Sequence, residues 1–406
     1  MTSGAYTIRL PLTSDGPLDP PAPLKELRDR CPVATAVLPS GDTGAYLTRY
    51  EDVRQLLSDG RFSRPTAEDK AARIAPEGAG GVAAGGGSSL AIPLKGEGHQ
   101  RWRRHLSKYF TAKRMRALHP RMTDTAHLLV DRMLEGRRPA DLKAAFGFPL
   151  PVYVICDLLG APAHDRDRFS HWSDSFLSVT RFTSQQTEAA HREFVSYMTD
   201  LVAEKRAEPG EDLLSVLIAE SAAEVAGMSD DQLVATGMAL LVAGHETTAN
   251  MIVKMAAMLL SDRGRWERLL TDRSLTRTTV DEALRYDANL GNFGTRRYLH
   301  EDAEIAGQTL SAGTTVFCDM SSANRDERAF ADPDDMDLGR SPNPHLTFGA
   351  GPHSCLGQSL ARTELQVSLE VLLDRVPTLR LAVPEEELRK IDGLSVGGLS
   401  ALPVDW

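Results

Sequence analysis

The sequence predicts a mainly α fold with a small β part, an α+β class, in one domain over residues 1–406 with 1–15 disordered. Three observations carry this. Apolar residues recur at helical spacing almost without a break from residue 98 to 285. One stretch, roughly 230–260, is apolar nearly all round and would run about 45 Å, enough to cross a whole domain. Strand-like segments are confined to 45–53, 295–320 and the tail. No internal repeat or linker divides the chain, although 406 residues would allow two or three domains.

Taken in order, residues 1–35 are Pro-rich and poorly periodic. "AYLTRYEDV" (45–53) reads as a strand running into a helix. "APEGAGGVAAGGGSSL" (75–90) cannot hold a helix or strand and reads as a surface loop or a mobile lid. "GHQRWRRHLSKYFT" starts a strongly basic helix, and helical spacing returns around 120–135, 150–160, 185–207 and 211–220. The long helix opens on Ser229 and Gln232 in capping-box spacing. A helix over Thr279–Tyr286 follows, then strands over 295–320 with turns at Gly307 and Ala312-Gly313. A loop rich in Asp, Pro and Asn covers 324–347. The last long helix is "LGQSLARTELQVSLEVLLDRV", and short strands and turns close the chain.

A net charge of −10 argues against nucleic acid or an anionic membrane as the main partner. No run of 18 apolar residues predicts a membrane span, and the first twenty residues lack an apolar signal core, so a cytoplasmic chain is expected. The four cysteines, Cys31, Cys156, Cys318 and Cys355, form no C-x-x-C pair. Reduced thiols and a single nearby histidine argue against a disulfide or a zinc site at Cys355. A nucleophile, a buried thiol, or a ligand for something larger remain open.

Other segments narrow the choice. Within the long helix, His245-Glu246-Thr247-Thr248 interrupts an apolar run, and a buried carboxylate there must be paired or solvated. Either a buried polar network or an acid–alcohol pair on a cavity would do. Ala243 and Thr247 share a face, small Ala243 and Gly244 would admit something flat, and the threonine hydroxyl can compete for the carbonyl four residues back. Glu282 and Arg285 stand three apart, which by itself reads as a weak surface pair. His99 and Arg103 share a helical face, and Arg297 and His353 are further cations. Singly these are solvated charges; together they could neutralise the two carboxylates of one ligand.

"FGAGPHSCLG" (348–357), "AGHETT" (243–248), "EALR" (282–285) and "HQRWR" (99–103) stand in the order found in cytochrome P-450 haem-thiolate monooxygenases. The chain resembles that family over nearly its whole length, and its soluble actinobacterial members most. The resemblance implies haem b (iron protoporphyrin IX), with Cys355 as the axial iron ligand and Phe348, Gly349, Gly351, His353 and Gly357 shaping its loop. It implies O2 as co-substrate, Thr247 on the bound oxygen and Glu246 in proton delivery, with Ala243 and Gly244 against the cofactor. His99, Arg103, Arg297 and His353 would hold the propionates. Glu282, Arg285 and Arg340 would be a structural triad.

The implied reaction puts one oxygen atom into a C–H or C=C bond of a lipophilic small molecule, in natural-product tailoring or xenobiotic oxidation. Electrons would come from NAD(P)H through a separate ferredoxin reductase and ferredoxin, docking on Arg101, Arg104, Lys108, Lys113 and Arg362 of a monomeric protein. Peroxide-driven or non-inserting chemistry (coupling, nitration) is the alternative, which the Glu246-Thr247 pair disfavours, and a haem-binding sensor is a third reading. Met238, Leu241, Val242, Ala243, Asn289, Leu290, Asn292, Phe293 and Val396 are expected in the substrate pocket, with the 75–95 and 170–190 segments nearby. Two departures from the family stand out: "YDANLGNFGTRR" lacks a proline common there, and Met336 replaces a phenylalanine.

Overall fold

The computed structural model describes residues 6–66, 69–81, 91–223, 227–288 and 293–406. The helices are α1 (Pro23–Arg30), α2 (Tyr50–Ser58), α3 (Gly96–Ser107), α4 (Ala112–Glu135), α5 (Pro149–Leu159), α6 (Arg166–Leu177), α7 (Ser184–Ala207), α8 (Leu213–Ala223), α9 (Asp230–Leu260), α10 (Arg263–Thr271), α11 (Thr276–Tyr286), α12 (Met320–Ala323) and α13 (Gln358–Arg375). The strands are β1 (Thr7–Arg9), β2 (Val33–Val37), β3 (Thr43–Leu47), β4 (Ala140–Asp141), β5 (Thr295–Tyr298), β6 (Ala303–Ile305), β7 (Gln308–Leu310), β8 (Thr315–Cys318), β9 (Arg380–Leu381) and β10 (Pro403–Asp405).

The predicted long helix is α9. Ser229 Oγ accepts from the Gln232 N–H, and Gln232 Oε1 accepts from the Ser229 N–H, so two end donors are satisfied. Being apolar nearly all round, α9 is sunk in the main core, with α5, α6, α7, α10, α11 and α13 packed on it. Met336, the residue that departs from the family, is buried in the same core.

The N-terminal stretch differs from expectation. Residues 6–15 are not disordered: Thr7–Arg9 pair parallel with Thr35–Val37 of β2. The principal sheet runs β1-β2-β3-β8-β5, so residues 7–47 are joined to 295–318. Parallel pairing across so long a separation leaves no local periodic mark, which is why a Pro-rich, aperiodic segment gave no strand. Of the glycine-rich tract, 82–90 lies outside the described residues; Ala79 bridges Thr183, and the Gly81 N–H donates to Ser178 O at 2.7 Å.

β5 is laid on the sheet beside β8, carrying Arg296 and Arg297. The loop before α13 carries Cys355. The middle of α9, the start of α13, α3 and β5 thereby converge on one internal cavity.

Candidate active site

Cavity and helix phase. The cavity has a volume of about 320 Å³. Its α9 wall is Leu240, Ala243, Gly244, Thr247, Thr248 and Met251, the three–four spacing of one helical face. Ala243 is exposed to it, and Thr247 Oγ1 donates to Ala243 O at 2.9 Å, the back-bond foreseen from sequence. That same phase removes three expected pocket residues. Met238, Leu241 and Val242 are buried in the core, with Leu240 on the cavity in their place. Gly244 is small for a second reason: a Cβ there would lie 2.6 Å from Ile155 Cδ1 of α5.

Glu246 is also off the cavity face. It is buried, accepts from Asn250 Nδ2 at 2.9 Å, and lies 3.9 Å from His245 Nε2. Lys143 Nζ reaches Asn250 Oδ1 at 3.5 Å and donates to Leu399 O at 2.7 Å. Burial lowers the Lys143 pKa, opposed by the charge of Glu246. The polar insert is therefore divided: Thr247 faces the cavity, and Glu246 joins a buried network, so the two do not stand on the cavity as a pair.

Cys355 and its loop. Opposite α9, the Cys355 N–H donates to Phe348 O at 2.7 Å, closing the loop. Gly349 (φ +69°) and Gly351 (φ +67°) take the left-handed conformation, and a Cβ on Gly351 would strike Ser58 Cα at 2.6 Å. Gly357 has ordinary torsions; its N–H is hydrogen-bonded to the Cys355 thiol. Burial pushes the thiol pKa up, while the Gly357 N–H and the charges of Arg64, Arg103 and Arg362 oppose that shift. Cys355 is packed about by protein, so its exposed surface opens into the cavity it lines. Arg362 lies over the Phe348 ring, 4.6 Å from its centroid.

The cationic edge. One end of the cavity collects Arg64, Arg103, Arg297 and His353. His99 stacks on His353, with ring centroids 4.2 Å apart, rather than lining the cavity itself. Arg103 Nη1 donates to Ser354 O at 2.7 Å. Arg297 is 1% exposed; its Nη1 donates to Arg296 O, and its buried Nε has no hydrogen-bond partner. Burial and then the neighbouring Arg64 bring Arg297 down to about 10. Burial, followed by Arg103, Arg64 and Arg297, brings His99 down to about 4, and His353 is lowered by burial and the same cations. Among the described residues, no carboxylate lines this cavity. Guanidinium groups facing one cavity with no acid among them, one of them buried with a spare donor, fit a ligand that brings its own carboxylates, as haem does.

Sequence reasoning missed Arg64, Leu240 and Met251. The last two follow from Thr247 by helical phase; Arg64, in "RFSRP", stands in no periodic pattern. Asn289, Leu290 and Asn292 lie outside the described residues. Phe293 packs in a separate core cluster with Phe317 and Val179, and lines another cavity of about 350 Å³ with Leu394 and Leu399. Val396 is buried and is absent from the Cys355 cavity wall.

The Glu282–Arg285 pair is not a weak surface contact. Both residues are fully buried. Glu282 accepts two bonds of 2.8 Å from Arg285, and others from Arg340 Nε, Asn343 Nδ2 and the Asp337 N–H. The expected basic docking patch is partly spent: Lys108 pairs with Glu220 at 2.6 Å, and Arg362 with Asp281 at 2.7 Å.

Residues 255–400 match the family described as Cytochrome P450. The chain is 42% identical to mycinamicin IV hydroxylase/epoxidase of Micromonospora griseorubida over 385 residues, 94% of each chain. It is 41% identical to nocardicin C N-oxygenase of Nocardia uniformis subsp. tsuyamanensis over 94% of each. Among solved structures, the LnmA cytochrome P450 hydroxylase from the leinamycin biosynthetic pathway of Streptomyces atroolivaceus S-140 superposes with a TM-score of 0.87. It is 38% identical, with 99% of this chain and 100% of that one covered.

Proposed function

The chain belongs to the cytochrome P450 family and is a monooxygenase of it, and we propose that it hydroxylates or epoxidises a lipophilic natural product. Membership brings a haem-iron cofactor and use of O2. We read the cofactor as haem b, and the electron supply as NAD(P)H through a separate ferredoxin reductase and ferredoxin. A monomeric, cytoplasmic, single-domain enzyme fits this reading. Among the described residues, no helix is long and apolar enough to cross a membrane.

One observation carries the assignment: Cys355, Thr247 and a set of cations with no acid among them line the same cavity. Cys355 would hold the iron through Sγ, with the Gly357 N–H and nearby guanidinium groups stabilising the thiolate. Arg103, Arg297, His99 and His353 would hold the two carboxylates. When bound, haem supplies the O2-activating centre and the electron path to it. Ala243 and Gly244 leave the α9 side of the cavity low enough for a flat group.

Thr247, already donating to Ala243 O, can accept a hydrogen bond from a water on the cavity side and fix its position. Glu246, buried off the cavity face, would be the residue that relays protons. Its carboxylate is held by Asn250, and the nearby charge of Lys143 would steady its ionised form between proton transfers. Leu240, Met251, Leu284 and Phe110 keep the cavity wall apolar and exclude stray water.

Substrate identity is not carried by relationship at this level. Two relatives of nearly equal identity are named for mycinamicin IV and nocardicin C, which are different molecules. The assignment is tested on the reduced, CO-bound protein. A strongly red-shifted, thiolate-type Soret band is expected, lost in Cys355→Ser. Its absence in the wild type would remove Cys355 as the iron ligand.

A further inference from the structure

We propose that Arg64 is a third guanidinium anchor for the cofactor's carboxylates, a role that none of the motifs assigns to it; the proposal rests on the haem reading of this same cavity. Arg64 follows the α2 turn in the segment Phe62-Ser63-Arg64-Pro65. Phe62 and Ser63 are buried, and Ser63 O accepts from the Tyr298 N–H at 3.0 Å, which ties the segment to the end of β5. Arg64 is thus delivered beside Arg297 by a fixed backbone bridge rather than by a free loop.

Arg64 is ringed by protein, and burial lowers its pKa. Its side chain is nonetheless exposed, and it lines the cavity: the surface it shows is the cavity's own. The charges that act on it are Cys355 and Arg103, and it acts in turn on His99, Arg296, Arg297 and His353. Among the described residues, no carboxylate is paired with it. A guanidinium held among other cations is disfavoured unless something anionic joins them. The buried, unpartnered Nε of Arg297 is an independent sign that this corner awaits acceptor oxygens.

Two carboxylates offer several acceptor sites, enough for three forks. Arg103 is bound on one side to the cysteine loop and Arg297 to its own strand. Arg64 adds a contact from a third element, so the cofactor would be gripped by α3, by β5 and by the segment after α2. The shared chemistry is a carboxylate. It could belong to the cofactor or to an acidic substrate, and we assign it to the cofactor because Arg64 sits among the residues matched to that role.

Haem release from the holoprotein to excess apomyoglobin tests this. Arg64→Gln should release haem on the order of ten-fold faster, the size of one lost charge-assisted hydrogen bond. Arg64→Lys should recover part of the loss. With haem dimethyl ester in place of haem, wild type and Arg64→Gln should release at the same rate, because the partner carboxylates are gone. Unchanged haem release, or equal acceleration with the ester, would overturn the proposal. So would a variant that keeps haem but loses binding of carboxylate-bearing compounds, which would place the carboxylate on a substrate. The reduced CO spectrum of each variant separates this from the cysteine assignment: a retained thiolate band with altered release concerns Arg64 alone.

Discussion

Two buried arginine clusters in this molecule use the same residue types to opposite ends. Around Glu282, the positive charge of Arg285 and Arg340 meets a carboxylate. Arg285 spends its other donors on Asn324, Pro333 and Asp335 carbonyls. Around the cavity, Arg64, Arg103 and Arg297 meet no acid among the lining residues, and one buried donor has no partner at all. The first cluster has its acid within the fold; on the haem reading proposed above, the second would take its acids from the ligand. The difference shows how a structural ion network can be told from a binding site without seeing the ligand.

The largest effect should come from breaking the completed cluster. Glu282→Gln leaves Arg285 buried without the carboxylate it shares with Arg340, a loss of about 3–5 kcal/mol for a severed buried pair. Denaturant unfolding should show it, in apo- and holoprotein alike. A loss under 1 kcal/mol would mean that the triad is not the strut its geometry implies.

The cavity cluster should behave with the opposite sign. Arg297→Met removes a buried charge that lacks an acid, so the apoprotein should be as stable as wild type or more so. The holoprotein should lose haem roughly ten-fold or more faster. Paired unfolding and haem-transfer measurements check this. Equal destabilisation of both forms would show that Arg297 is a fold residue like Arg285.

This contrast was only partly legible in the sequence. The motifs around Cys355, Thr247 and Glu282 stand in local order, and α9 announces itself by length and a capping box. Arg64 does not, because its place beside Arg297 depends on the Ser63–Tyr298 bridge, which joins segments 235 residues apart. The burial of Glu282 and Arg285 was equally hidden: a three-residue spacing looks the same on a surface as under a loop from 324 to 347. Met238, Leu241 and Val242 lie off this cavity for a reason that is legible in the sequence. Thr247 fixes the helical phase, and counting back by three and four from it reaches Leu240, Ala243 and Gly244.

A smaller effect is expected from pH. Unfolded His99 titrates near 6.5, whereas in the fold burial and the three arginines hold it at about 4, with His353 stacked against it. Between those values the unfolded chain binds more protons than the folded one. Apoprotein stability should therefore fall as pH falls from about 6.5 to 4, by up to ~1.4 kcal/mol per pH unit from this residue. His99→Asn should flatten that slope. In the holoprotein the cofactor's carboxylates offset the arginines, so the slope should shrink. Unfolding curves across this range check it, and an equal slope in apo and holo forms would deny that carboxylates sit among these cations.

The same reasoning, applied to the surface, gives the smallest effect. Of the five cations expected to dock a ferredoxin, Lys108 and Arg362 already have acids at 2.6 and 2.7 Å, whereas Arg101, Arg104 and Lys113 are exposed without an ion pair among the described residues. If unpaired charge marks where a partner is awaited, Arg104→Glu and Lys113→Glu should slow ferredoxin-supported turnover by a few fold at low salt. High salt should erase the difference, since these charges are screened beyond about 10 Å at 0.1 M. Substrate-induced spectral shifts should not change. Lys108 also faces Glu220, so neutralising Glu220 with Gln should make Lys108 available and speed turnover slightly. If Glu220→Gln instead leaves turnover unchanged while Arg104→Glu lowers it, the pairing rule survives and only Lys108 leaves the docking face. If neither variant responds to salt, the rule holds for the interior cavity and fails at the surface, where water already satisfies every charge.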